Sequence, residues 1–306
     1  MSFSSDVKNE IVAGKPLRLR HKKAQAYGLL LYAKSFTESE VSLHTESAEI
    51  AELYSRFIRE FAGEDAVVTT REQLRRGKPL YVVSLQGYEQ RRKLLEAFDH
   101  KDIVNEGNLP TPEQEHLFLS GAWLACGNIT DPQKSYHMEF VCKDKTLSDA
   151  LKSILDRCTD GAGETVRRGA HVLYFKECAE IEDLLTLMGA SKSSLAMIEV
   201  EIIKDVRNKA NRVTNCETAN IDKTVSASTA QVEDIQLIFE VKGPGWLPEN
   251  LRQVALLRLE NPDLSLRELA ALSPDSISRS GMHHRLDKLS RLAAALREKG
   301  EEKRGG

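Results

Sequence analysis

Between Ser276 and Leu292 four cations, Arg279, Arg285, Lys288 and Arg291, stand against a single acid, Asp287. That local charge of about +3 lies inside a chain whose formal net charge is −3 at pH 7, so the stretch concentrates what the whole chain lacks. The same segment carries the hydroxyls of Ser278 and Ser280 and the adjacent His283 and His284. Arginine can bridge the O6 and N7 acceptors of guanine, and hydroxyls can reach phosphate oxygens, so this set can read a nucleic acid. A metal is not expected at the histidines: neighbours in a helix do not face one another, and no third ligand is near. Candidate DNA-reading residues are therefore Ser278, Arg279, Ser280, His283, His284, Arg285, Lys288 and Arg291. A second polar set lies upstream, where Lys204, Arg207, Lys209 and Arg212 alternate with Asn208, Asn211, Asn215 and Asn220. Two readings stay open there, a polar connecting helix and a phosphate-contacting linker that uses Lys204, Arg207, Asn208, Asn211, Arg212 and Asn215.

The elements that must position the basic set are legible from punctuation. A helix over 249–260 carries Leu251, Val254, Ala255, Leu257 and Leu259 and stops at Asn261-Pro262. Ser265-Leu266-Arg267-Glu268 is a capping box that opens a short second helix, ended by Ser273-Pro274. A third helix is expected from about Ser278, with Met282, Leu286, Leu289, Ala293 and Leu296 spaced as an amphipathic stripe. A short helix, a turn and a longer helix with an exposed basic face form a helix-turn-helix, whose N-terminal recognition residues meet base edges.

The body before residue 193 looks duplicated. Phe118 to Asn128 is an apolar helix interrupted by Gly121 and Gly127, small residues that admit another backbone. A constant offset of 93 carries Gly28 onto Gly121, Leu31 onto Leu124, Arg75 onto Arg168, Tyr81 onto Tyr174, Glu89 onto Glu182 and Leu94 onto Leu187. Two such helices would pack on a pseudo-twofold axis. Each half reads as α-β-α-β-β-α, with an extra strand expected near Phe36 and another near Ile129. A basic turn, Arg75-Arg76-Gly77-Lys78-Pro79, separates two strands of the first half. Thr111-Pro112 opens the helix 112–126, Thr146 is expected to introduce the helix 147–158, and 231–241 reads as a separate apolar piece. The expected division is 1–104, 105–192, a polar linker helix 193–242 and a DNA-binding domain 243–306.

Composition bounds the rest. With 306 residues, 41% hydrophobic and 29% charged, the chain has the material for two or three folded domains and lacks the signature of disorder. Its five cysteines are odd in number, widely spaced and without C-x-x-C, which indicates reduced thiols rather than disulfides or zinc. No basic-then-apolar leader and no apolar run of membrane-spanning length is seen, so a cytoplasmic location without membrane association is expected.

The duplicated body, with Leu119-Ser120-Gly121-Ala122-Trp123-Leu124-Ala125-Cys126-Gly127 as its signature helix, resembles the LAGLIDADG homing-endonuclease fold. That resemblance implies an α+β body of two α-β-β-α-β-β-α halves, with an all-α helix-turn-helix domain appended here. In that fold, carboxylates at the ends of the signature helices hold divalent metal for phosphodiester cleavage. Cys126 and Ala33 fall at those places, and neither suits Mg²⁺, which wants carboxylate oxygen. Asp131 and Glu38 lie just beyond, displaced into the next segment. A nuclease or RNA-maturase activity is accordingly disfavoured, and no cofactor is expected. The body followed by K-D-V-R-N-K-A-N-R-V-T-N-C-E-T-A-N and by S-R-S-G-M-H-H-R-L-D-K-L is similar to the WhiA family of bacterial sporulation and cell-division regulators. That resemblance implies a transcription regulator that binds double-stranded DNA at the nucleoid. It also implies a WhiB-type iron–sulfur regulator or RNA polymerase as partner. A protein-docking adaptor is the remaining alternative.

Overall fold

A helix that is apolar on every side has to sit at the centre of a core, and two stretches meet that description. Ala24 to Leu31 and Phe118 to Leu124 are buried without interruption. The computed structural model describes residues 2–75, 77–100 and 103–302, with side chains at all of these except 220, 221, 224 and 299–302. Arg76 of the expected basic turn and the Asn220 side chain thus lie outside the described residues.

The chain divides into two units, Met1–Asp205 and Val206–Gly306. The first runs α1 (Phe3–Val12), α2 (Leu19–Leu31), β1 (Ser35–Phe36), β2 (Val41–Thr45), α3 (Ala48–Ala62), β3 (Val68–Arg75), β4 (Lys78–Leu85) and α4 (Tyr88–Ala97). The order then repeats as α5 (Pro112–Cys126), β5 (Gly127–Ile129), β6 (Met138–Cys142), α6 (Lys145–Cys158), β7 (Gly163–Arg167), β8 (Ala170–Phe175) and α7 (Cys178–Leu187). Two antiparallel four-stranded sheets result, ordered β1-β2-β4-β3 and β5-β6-β8-β7. Both extra strands expected from the sequence are present.

The helices α2 and α5 cross at the two glycines. A Cβ on Gly28 would lie 2.1 Å from the Phe118 carbonyl oxygen and 2.8 Å from the Ala122 amide, and one on Gly121 would lie 2.0 Å from the Gln25 carbonyl oxygen and 2.8 Å from the Leu29 amide. The contacts are reciprocal, as a pseudo-twofold requires, and only glycine permits them. Gln25 Nε2 also donates to Ser120 Oγ at 3.1 Å within the interface. Gly127 has a different reason for lacking a side chain: a Cβ there would enter the Trp123 ring at 2.1 Å. It makes room for a fully buried tryptophan rather than for a partner helix.

The duplication holds, but the constant offset does not. It is 93 at the helix crossing, 97 at the helix caps Ser47 and Asp144, and 92 at the hairpin tips, where Arg75 pairs with Lys78 and Arg167 with Ala170. It is 90 at the closing helices, which begin at Tyr88 and Cys178. The buried pairs Leu94/Leu95 and Leu184/Leu185 are therefore equivalent, and Leu94 does not match Leu187. Length changes fell in turns and in the first hairpin, whose strands of 8 residues each stand against 5 and 6 in the second. The second hairpin closes through Arg168 and Gly169, both at positive φ (53° and 81°), as a two-residue turn between twisted strands requires.

Two local expectations are corrected. The helix over 145–158 is capped by Asp144, whose Oδ1 accepts from the Leu147 amide at 2.9 Å; a carboxylate outcompetes Thr146 as a cap. The apolar piece 231–241 is not separate. It is the last part of α8, which runs unbroken over Ser191–Lys242. Its first turn is capped from far away in sequence: the Glu10 carboxylate accepts from the amides of Lys192 and Ser193, at 2.7 and 2.9 Å, and from Ser193 Oγ at 2.7 Å.

Candidate nucleic-acid interface

The second unit is built on α9 (Glu249–Glu260), α10 (Leu266–Leu272) and α11 (Arg279–Glu302). Leu251, Val254, Ala255, Leu269, Met282, Leu286, Leu289 and Ala293 form its core with Ile235 and Ile238 of α8. The stripe read from the sequence is the buried face of α11. The capping box is formed: the Ser265 side chain accepts from the Glu268 amide at 3.4 Å and Glu268 Oε2 accepts from the Ser265 amide at 2.8 Å. Arg258, 2% exposed, stiffens the turn between α9 and α10. Its Nη1 donates to the carbonyls of Asn261, Pro262 and Leu264 at 3.4, 3.3 and 2.7 Å. Sequence inspection had no means of finding it, because a surface arginine has the same spelling as a buried one.

The opposite face of α11 is exposed at Arg279, Ser280, His283, His284, Lys288 and Arg291. Ser278 is exposed too, but its hydroxyl is engaged as the cap of α11, accepting from the Gly281 amide at 3.1 Å. Arg291 pairs with Asp287 at 2.8 Å one turn away. Arg285 turns inward: its Nη1 lies 3.4 Å from the Asn250 carbonyl oxygen and 3.5 Å from Asp275 Oδ2. It ties the recognition helix to α9 and to the turn before it, a role that the charge count could not reveal. Among the described residues no ion pair engages Arg279 or Lys288, so these two cations are the ones left facing outward. The salt bridge Arg297–Asp234, at 2.8 Å, fixes the distal part of α11 to α8.

Along α8, Arg207, Asn208, Asn211, Arg212 and Asn215 are exposed. Arg212 Nε reaches only the Asn208 carbonyl of its own helix, at 3.4 Å. Lys204 departs from that group. It donates to the Pro132 carbonyl at 2.5 Å and its ammonium sits 4.5 Å from the centre of the Tyr136 ring, so it is committed to the fold of the first unit.

Cations, not carboxylates, occupy the ends of the α2/α5 pair. Just beyond α2, the Lys143 ammonium donates to the carbonyls of Ala33 and Lys34. Burial and the neighbouring Lys34 charge lower its pKa. At the end of α5, Lys8 stacks its ammonium 5.5 Å from the Trp123 ring centre. The Cys126 thiol meets Cys142, and that contact together with burial pushes its pKa well up. The ammonium repels a divalent cation, and a hard one gains little from a neutral thiol. Glu38 and Asp131, the displaced acids, are occupied in turns: Glu38 Oε2 accepts from the Tyr88 hydroxyl at 3.2 Å, and Asp131 Oδ1 accepts from the Gln133 amide at 2.9 Å. None of this was legible from the signature alone, since Lys8 and Lys143 lie outside it.

Comparison with known proteins agrees with both units. Residues 115–207 match the family described as "WhiA LAGLIDADG-like domain" and residues 210–293 match "WhiA C-terminal HTH domain". A relative from Enterococcus faecalis, named "Probable cell division protein WhiA", is 34% identical over 98% of this chain and 99% of its own length. One of the same name from Clostridium acetobutylicum is 32% identical over 98% of this chain and 100% of its own. The crystal structure of full-length DUF199/WhiA from Thermatoga maritima superposes with a TM-score of 0.57 at 21% identity, covering 96% of this chain and 99% of that one. Among the described residues no helix is long and apolar enough to cross a membrane.

Proposed function

Because the chain belongs to the WhiA family, we propose that it is a sequence-specific DNA-binding transcription regulator of cell division, chromosome segregation or sporulation, working at the nucleoid. The observation that carries this reading is the outward face of α11, on which Arg279 and Lys288 point away from the core with no carboxylate paired to them. In this reading Arg279, Ser280, His283 and His284 lie near base edges at the start of the recognition helix, while Lys288 and Arg291 contact phosphate. Arg285 positions the helix through Asn250 and Asp275, and Ser278 starts it. The exposed linker residues Arg207, Asn208, Asn211, Arg212 and Asn215 add phosphate contacts, and a WhiB-type iron–sulfur regulator or RNA polymerase is the protein partner. In this reading residues 243–306 are the DNA-binding part.

Genome-wide mapping of bound sites supplies the operator for the test, which is a titration of wild type and Arg279→Ala on that DNA. If Arg279 reads a base, the variant loses about 1–3 kcal/mol on the operator and relaxes selectivity at one position. Equal affinity of the two proteins removes the residue from the reading. Failure of the wild type to bind any DNA across a range of salt would favour the docking adaptor instead. The lysines at the ends of α2 and α5 speak against the nuclease alternative, and Mg²⁺-dependent cutting of DNA by the purified chain would restore it.

A further inference from the structure

In the first unit a second group of chemically capable side chains gathers away from both helix ends. Cys178 is the first residue of α7, Glu182 lies one turn along the same face, and Glu201 comes from the early part of α8. One ligand atom from each falls within 4.8 Å of the other two. The Cys178 thiol is buried, 7% exposed, and donates to Glu182 Oε1 at 3.2 Å. A thiol and two carboxylates in such a space lack a positive charge. Among the described residues no ion pair engages Glu182 or Glu201, and the nearby Lys204 ammonium is held by the Pro132 carbonyl and the Tyr136 ring.

The Tyr136 hydroxyl lies in the same space: the groups around it are Cys178, Glu201 and Asp205, with the Cys178 thiol as its hydrogen-bonding neighbour. It adds one more oxygen to a group made of a thiol and carboxylates.

We propose that Cys178, Glu182 and Glu201 form a zinc site, with the Tyr136 hydroxyl turned toward the ion or a water bound to it. The donor set selects the metal. A thiolate discriminates against Mg²⁺ and Ca²⁺, whereas Zn²⁺ accepts sulfur and carboxylate oxygen together. Bonds of about 2.3 Å to sulfur and 2.0–2.2 Å to oxygen place ligand atoms closer together than 4.8 Å, and rotation of the two glutamates supplies that contraction. Binding exchanges the thiol proton, released to solvent, for the metal. Since Cys178 and Glu182 come from α7 and Glu201 from α8, the ion clips the closing helix of the second half to the start of the long helix.

The test is a cobalt titration of the full-length protein, followed by the thiolate-to-cobalt charge-transfer band, with zinc competition. One equivalent per chain is expected, displaced by zinc, with the melting temperature raised by either metal. Cys178→Ser should abolish the band, and Cys142→Ser should leave it unchanged. Glu201→Gln changes a half-buried side chain on a helix surface and should keep the circular dichroism spectrum while lowering zinc affinity at least tenfold, at or above the low end of about 10–100-fold typical of outer-shell changes. The proposal is overturned if the wild type shows no band, if the band survives Cys178→Ser, or if Glu201→Gln binds zinc as tightly as wild type.

Discussion

The same residue type is used in opposite ways by the two units. In the first, lysine ammonium groups turn inward: Lys143 onto the carbonyls that end α2, Lys204 onto Pro132 and Tyr136, Lys8 onto Trp123. In the second, Arg279 and Lys288 face outward from α11, Arg291 is exposed beside its partner Asp287, and Arg285 is tied to Asn250 and Asp275. The first unit thus commits these charges to its own fold. The second leaves Arg279 and Lys288 exposed. Charge count alone does not separate these uses; the partner atom does.

Substitutions can break this contrast. The largest effect is expected from Gly121→Val, which pushes a branched side chain into the Gln25 carbonyl and the Leu29 amide. It should destabilise the first unit by about 3 kcal/mol or more. Urea unfolding followed by the buried Trp123, in a Trp246→Phe background, measures it, and a shift below 1 kcal/mol would mean that the helices can separate cheaply. Next in size, Lys288→Ala should leave the unfolding free energy within about 0.5 kcal/mol of wild type but weaken binding to all DNA sequences alike and reduce the salt slope by about 1. Lys143→Ala should do the reverse: about 1 kcal/mol lost in the first unit, the usual scale for a hydrogen-bonded group, with an unaltered salt slope. If Lys143→Ala changed the slope and Lys288→Ala did not, the two units would have exchanged roles.

Smaller effects refine the picture of α11. Asp287→Ala removes an exposed i,i+4 pair worth about 0.3–0.5 kcal/mol and frees Arg291. DNA affinity should rise slightly, by an amount that shrinks with salt; a fall would show that Asp287 itself contacts DNA. The smallest expected change concerns pH. Hydrogen bonds to the side chain and amide of Ser265 lower the pKa of Glu268, so the capping box contributes stability above the ordinary carboxylate range and loses it as pH falls through the depressed value. Glu268→Gln, which keeps the bond at every pH, should flatten that part of the acid unfolding curve of α10.

Several features follow from the sequence because they depend on neighbours a few residues apart. The capping box Ser265/Glu268, the proline that opens α5, the stripe Met282/Leu286/Leu289/Ala293 and the stop at Asn261-Pro262 are local, and each is present. Gly28 and Gly121 were recognisable because a central helix pair needs the smallest residue at its crossing. The offset varies between 97 and 90 because turns and hairpin tips accept insertions, and a constant register read across two halves cannot anticipate that. Asp144 rather than Thr146 caps α6 because Thr146 already lies inside the helix, and only geometry decides which oxygen meets an amide.

What the sequence determined by itself was therefore the duplication, the helix-turn-helix and the concentration of positive charge on α11, all consequences of periodicity and short-range capping. Tertiary structure alone decided which charges are engaged within the fold. Whether Arg285 stands free or braces a turn, whether Arg258 is on the surface or at the centre of three carbonyls, and whether Cys178 meets Glu201 depend on residues 3 to 35 positions away. A side chain's chemistry is set by the atoms it reaches, and a folded chain brings those from places that spacing along the sequence does not encode.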